Sequence, residues 1–180
     1  RLRNGEWTGA TGERIKTVIC MGSGQRHIPW AIADSTVTVL CETETGKQIR
    51  IRLDFFSDRP NSFTYYGLQG TTAAYEGPRA PGEEHRVYVH GRTERGQWES
   101  LWNYSEYLPE GWKSLPEEAV NDSYDGGSPL MLEEFARSII DDTRPPVDVV
   151  DALNMTAPGL MSEISRQKNG QPVEVPEFKL

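Results

Sequence analysis

Cysteine is nearly absent from this chain: Cys20 and Cys41 are the only two among 180 residues. That leaves no disulfide framework and no Cys-rich metal site. Histidine is also scarce, and His27, His85 and His90 share no metal-ligand spacing. No apolar run approaches the roughly 18–20 residues that span a bilayer, and no secretory apolar segment opens the chain. A membrane partner is therefore not expected. Positive charge is in deficit, with 19 basic against 27 acidic residues and a net charge of −8. Nucleic-acid binders carry a basic footprint, so that class is set aside. A nucleotide loop is missing too. Gly22-Ser23-Gly24 has no third glycine, and Arg26-His27-Ile28-Pro29 follows where a helix should start. The pair reads as a turn. There is no G-x-S-x-G elbow for acyl transfer. An initiating methionine is also missing: the chain opens on Arg1, so it is expected to begin inside a longer protein or to be processed.

What is present is ordinary globular material, 36% hydrophobic and 26% charged, read as one domain over residues 1–180. Ile15 to Met21 is β-branched and reads as a strand. Residues 35–42 alternate, with Val37, Val39 and Cys41 opposing Thr36, Thr38 and Leu40. Residues 47–56 alternate more cleanly, with Ile49, Ile51, Leu53 and Phe55 opposing Arg50, Arg52, Asp54 and Phe56. Glu44-Thr45-Gly46 supplies the turn, because glycine tolerates positive φ. The pair is predicted to be an antiparallel hairpin with one buried face. Further strands are predicted at Phe63 to Leu68, Thr71 to Tyr75, Arg86 to His90 and part of Glu99 to Tyr104. Residues 91–127 read as an extended loop with one short helix near 116–120.

The last third reads as helical. Ser128-Pro129 is a helix start, and Leu132, Phe135 and Ile139 recur on one stripe. Asp148 caps a second helix, in which Leu153, Ala157, Leu160, Met161 and Ile164 repeat at helical spacing. Pro158 inside that pattern is expected to kink it, and Asn169-Gly170 ends it. Pro172 to Phe178 offers an edge strand. Strands first and helices last give an α+β order: an open-faced, largely antiparallel sheet with helices on one face.

Two segments stand out as candidate binding loops. Ser57-Asp58-Arg59-Pro60-Asn61 carries Asp58, Arg59 and Asn61 off the end of the best-defined strand, and a guanidinium there offers a planar fork of donors to a hydroxylated ligand. A plain β-turn with a surface ion pair explains the same residues. Tyr124-Asp125-Gly126-Gly127 runs into a helix N-terminus, where glycines permit close approach to ligand oxygens. A loop with a helix cap is its structural alternative. Trp98, Trp102, Tyr104, Tyr107 and Trp112 read either as a sugar-stacking platform or as packing onto the sheet. No catalytic or metal residue is assigned.

Together the stretches TVTVLCETETGKQIRIRLDFFSDRP, GLQGTTAAYEGPR and YDGGSPLMLEEFARSIIDDTRPPVDVVDALNMTAPGLMSEISRQKNGQPVEVPEF resemble a known family. It is the C-terminal domain of the glucose–fructose oxidoreductase / inositol dehydrogenase / MocA family. The nearest branch is that of the NAD-dependent α-N-acetylgalactosaminidase-like glycosidases. The most specific part is D-A-x-x-x-T-A-x-G-x-x-S-E-x-S followed by G-x-P-V-E-V-P-x-F. The resemblance implies a bacterial two-domain parent whose upstream Rossmann domain binds NAD(P) and supplies the chemistry. In it, hydride removal from a sugar carbon acidifies the neighbouring C–H for a base, and the cofactor later returns the hydride. This chain would then hold no cofactor and be inactive alone, serving to bind a sugar or glycoside and to form homo-oligomers through the open sheet face. The branch typically reads S-P-R-P-Y and G-H-G-G where this chain has Ser57 to Asn61 and Tyr124 to Gly127. Arg59, Pro60, Gly126 and Gly127 match, while Asp58, Asn61, Tyr124 and Asp125 depart. A cytoplasmic location is expected. The competing expectation is a free-standing, non-catalytic protein that kept the domain for carbohydrate binding or self-association.

Overall fold

The computed structural model describes residues 2–3, 6–7, 13–25, 30, 34–58, 60, 65–108, 110–113 and 127–179. Two compact units emerge, Arg1–Asp58 with Met131–Leu180, and Arg59–Leu130. The strands are β1 (Leu2–Arg3), β2 (Glu6–Trp7), β3 (Ile15–Gly22), β4 (Thr36–Thr43), β5 (Gln48–Asp54), β6 (Gly67–Gln69), β7 (Ala73–Glu76), β8 (Arg86–Val89), β9 (Glu99–Ser100) and β10 (Val173–Glu174). The helices are α1 (Glu110–Lys113), α2 (Gly127–Ile140) and α3 (Val149–Gln167). All strand pairs among the described residues are antiparallel, so the α+β class read from the sequence holds.

In the first unit the sheet order is β10-β3-β4-β5. Gly46 turns β4 into β5 at φ +80°, with its N–H donating to the Thr43 carbonyl at 3.0 Å. The register sets Cys41 opposite Ile49, Val39 opposite Ile51 and Val37 opposite Leu53, the faces that alternation predicted. The core is Val18, Cys20, Val39, Cys41, Ala157 and Val175. Burial is uneven across this face. α3 packs on β3 and β10, and Ile49, Ile51 and Leu53 keep 40%, 40% and 45% of their surface exposed. Alternation sets which way a side chain points, whereas burial also needs a covering element.

The helix α3 follows from its cap. The Asp148 carboxylate accepts from the Val150 and Asp151 N–H groups at 2.8 and 2.9 Å, and Asp151 returns a bond to the Asp148 N–H. Those amides and Arg144 hold the Asp148 carboxyl below its ordinary range. The helix continues through Pro158 to Gln167. Its buried residues are small ones, Ala157, Pro158, Ser162 and Ser165, which let it lie close on the sheet. Asn169 and Gly170 end it with φ of 57° and 79°.

Ser165, fully buried, takes over where β10 stops. Its Oγ accepts from the Cys20 N–H at 2.9 Å and donates to the Gln171 carbonyl at 2.6 Å. The tail is held further by the Asn154 amide, which donates to the Phe178 carbonyl and accepts from its N–H, both at 3.2 Å. Arg14 adds a bond to the Val175 carbonyl at 2.8 Å.

The stripe predicted on α2 exists but is bare: Leu132, Phe135 and Ile139 are 62%, 56% and 66% exposed. The helix begins at Gly127, one residue before the predicted cap.

In the second unit the order is β6-β7-β8-β9. Register places Leu68, Tyr75, Val87 and Glu99 on one face, with Gly67, Glu76, Arg86 and Ser100 in a row on the other. Val87 is buried, and the Tyr104 hydroxyl donates to Glu99 at 2.8 Å. Tyr104 belongs to a 3-10 helix over Leu101–Tyr107, where the sequence reading expected loop. The short helix predicted near 116–120 lies outside the described residues.

Candidate functional site

Of the six candidate binding residues, Asp58 is described and exposed. Arg59, Asn61, Tyr124, Asp125 and Gly126 lie outside the described residues. The loop that carries Asp58 is organised by a neighbour that sequence reasoning had placed on the strand's charged face. The Asp54 carboxylate accepts from the Ser57 hydroxyl at 2.6 Å, the Ser57 N–H at 3.1 Å and the Phe56 N–H at 3.4 Å. Arg52 Nη2 reaches it at 2.7 Å. These bonds, the Ser57 hydroxyl first, hold the Asp54 carboxyl below the usual range. The chain therefore leaves β5 through a fixed Asp-x-x-Ser turn, a spacing readable in the sequence as local side-chain-to-backbone bonding.

The aromatic candidates divide. Trp98 lies beside Arg86, whose guanidinium carbon sits 5.9 Å from the indole centroid. Arg92 stacks on Tyr104 at 4.3 Å and approaches Tyr107 at 5.8 Å. Trp102 meets His85 edge-on at 6.3 Å, and His85 Nδ1 is 2.8 Å from the Tyr75 hydroxyl. Arg79 lies over Tyr65 at 4.9 Å and bonds its hydroxyl and Glu76. The side chain of Trp112 lies outside the described residues. An open depression of about 720 Å³ is lined by residues 88 and 90–95, Tyr88, His90, Arg92 and Arg95 among them.

The Gly22-Ser23-Gly24 turn is packed by a carboxylate. A Cβ on Gly22 would stand 1.9 Å from Asp34 Oδ2, so the glycine is there to admit a carboxylate. Asp34 pairs with Arg166 at 3.1 Å. Among the described residues no group of three or more His, Cys, Asp or Glu side chains could hold a metal ion. Cys20 and Cys41 are buried, and burial pushes both thiols up, away from the reactive thiolate.

Residues 15–180 match the family described as Glycosyl hydrolase 109, C-terminal domain. The chain belongs to this family. A glycosyl hydrolase family 109 protein of Streptomyces coelicolor is 30% identical over 159 residues, covering 84% of this chain and 33% of the relative. An α-N-acetylgalactosaminidase of Tannerella forsythia is 25% identical over 144 residues, covering 79% of this chain and 29% of the relative. The family 109 chain thus spans about a third of the length of these relatives. Solved structures share its fold. A levoglucosan dehydrogenase in complex with NADH and levoglucosan superposes with TM-score 0.65 at 14% identity, over 92% of this chain and 46% of that one. An Agrobacterium radiobacter oxidoreductase in complex with NAD+, L-tartaric acid and magnesium gives TM-score 0.60 at 13% identity, over 89% and 43%. The resemblance to the glucose–fructose oxidoreductase / inositol dehydrogenase / MocA proteins and to the α-N-acetylgalactosaminidase-like branch therefore holds.

The D-A-x-x-x-T-A-x-G-x-x-S-E-x-S stretch that carried the resemblance has a structural account. Asp151 closes the helix cap, Ala157, Ser162 and Ser165 are buried, and Glu163 pairs with Arg166 at 2.7 Å. The family signature here is a signature of how α3 seats on its sheet.

Proposed function

We propose that this chain is the C-terminal substrate-binding and oligomerisation domain of a longer NAD(P)-dependent sugar oxidoreductase or oxidation–elimination glycosidase. The observation that carries this reading is the family 109 match over residues 15–180 in a chain spanning a third of its relatives. NAD(P) would be held by a Rossmann domain preceding this one, as the resemblance implies. The chain alone would then be inactive. Asp58, Arg59 and Asn61 would line the sugar pocket together with Tyr124, Asp125 and Gly126. The Asp54–Ser57 turn would fix where the first of these loops begins.

Self-association would use the face of the first sheet opposite α3. There Ile19, Met21, Thr38, Leu40, Arg50 and Arg52 form a mixed apolar and cationic surface. Met21 and Leu40 are 67% and 52% exposed on it. The parent would work in the cytoplasm, and no described helix is long and apolar enough to cross a membrane.

The decisive assay uses the longer polypeptide from which the domain comes, with NAD(P) and α-N-acetylgalactosaminides. Arg59→Ala should raise KM about tenfold or more, as expected for loss of a charge-assisted contact. Calorimetry of the 180-residue chain with NAD(P) should show no heat of binding. Micromolar binding would overturn the assignment of the cofactor to the preceding domain.

A further inference from the structure

The face of the second sheet turned away from the 3-10 helix carries one polar row, Gly67, Glu76, Arg86 and Ser100, one residue from each strand. Arg86 is unusual in it. Its Nε is buried with no hydrogen-bond partner among the described residues. Its Nη2 comes no nearer to Glu76 than 3.8 Å, too long for a hydrogen bond. Arg79, by contrast, is fully engaged on Tyr65 and Glu76. Buried donors in native structures are normally matched, and the terminal Nη2, 3.8 Å from Glu76 on a half-exposed side chain, makes no hydrogen bond among the described residues that a ligand would have to displace.

This guanidinium stands over the Trp98 indole, its carbon 5.9 Å from the ring centroid, and the indole is 43% exposed. The neighbouring strand position on the same face is Tyr88, which also borders the open depression of about 720 Å³. Gly67 and Ala74 keep the same face low towards β6 and β7. Charge is balanced: Arg79 and Arg86 meet Glu76, and Glu83 accepts from the Arg79 N–H at 2.9 Å. Balanced charge disfavours an anion. A flat aromatic face, planar N–H donors and a carboxylate acceptor suit a pyranose ring, whose C–H face lies on the indole while its hydroxyls accept and donate at the rim.

We propose that this face, centred on Arg86 and Trp98, is a binding surface for neutral sugar chains. It goes beyond the reading above because it needs neither a cofactor nor the Asp58 and Tyr124 loops. It can therefore fail or succeed on the 180-residue chain while the assignment to a longer enzyme stands.

The test is an NMR titration of the tryptophan indole N–H signals with chitotetraose and with maltotetraose, each to several millimolar. A saturable shift of the Trp98 signal with either sugar is expected. Arg86→Lys keeps the charge and loses the fork, and should weaken binding about tenfold. Trp98→Ala should abolish the response, read from the remaining indole signals, while Trp102→Ala should leave binding unchanged. Three outcomes would overturn the proposal: a still Trp98 signal with both sugars, R86K binding as the wild type does, or a shift only with a hexaglutamate peptide. The last would mark the surface as a site for acidic peptides.

Discussion

Each of the two units is stabilised internally by different means. The first has an aliphatic and thiol core in which Val18, Cys20, Val39, Cys41, Ala157 and Val175 interlock between a sheet and a helix. The second buries one hydrophobic residue, Val87, among those described. Its sheet is tied instead by side chains meeting in pairs: Arg92 on Tyr104, Arg79 on Tyr65, and Tyr75 to His85. A core of the first kind loses stability through voids and clashes, whereas a stitched sheet loses it one modest contact at a time.

The sharpest break in that comparison is Gly22→Ala. The new methyl would stand 1.9 Å from Asp34 Oδ2, and Asp34 is itself packed and paired with Arg166. Overpacking there should cost about 3 kcal/mol, read from the urea midpoint. Ser165→Ala comes next, since it strands the buried Cys20 N–H; about 2 kcal/mol is expected, with faster amide exchange at Cys20. In the second unit Tyr75→Phe removes one hydrogen bond to His85 and should cost about 1 kcal/mol. A loss above that of Ser165→Ala would mean that the second unit depends on a polar core after all.

The smallest effect concerns pH. Glu13 accepts from Lys47, Thr43 and Thr45, which hold its carboxyl down from 4.5 to about 2. A carboxyl depressed on folding adds stability above its ordinary value and loses it on acidification. This contribution should be complete above about pH 4.5 and fade towards pH 2. Thermal melting of Glu13→Gln across that window should be flatter than the wild type by this share.

The same difference explains what could be read from the sequence. Strict alternation at Val37–Cys41 and Ile49–Leu53 announced the hairpin, its turn and its faces, because side-chain direction is a local property of a strand. The Asp148 cap and the Asn169-Gly170 stop were equally local. How far α3 reaches over the sheet depends on pieces distant in sequence, so the exposure of Ile49, Ile51 and Leu53 carried no signal. The second unit is tied by contacts such as Arg79 with Tyr65 and Arg92 with Tyr104, 14 and 12 positions apart, which follow no period. The 3-10 helix over Leu101–Tyr107 was missed for that reason. At the candidate site, the sequence offered Asp58 as a loop residue, and the structure adds the Asp54–Ser57 turn that sets the loop's origin.

Ser165 also has a consequence for how copies of this domain can meet. A sheet edge with idle amides recruits whatever strand is at hand. Here the outer edge of β3 is closed twice over, first by the two residues of β10 and then by a hydroxyl from the helix. Strand addition to β3 itself is thereby blocked from Thr17 to Cys20, and the two-residue β10 becomes the outermost strand on that side among the described residues. On the opposite flank, β5 is the outermost strand of its sheet among the described residues. The two flanks thus differ in the length of backbone they offer a foreign strand, two residues on β10 against seven on β5.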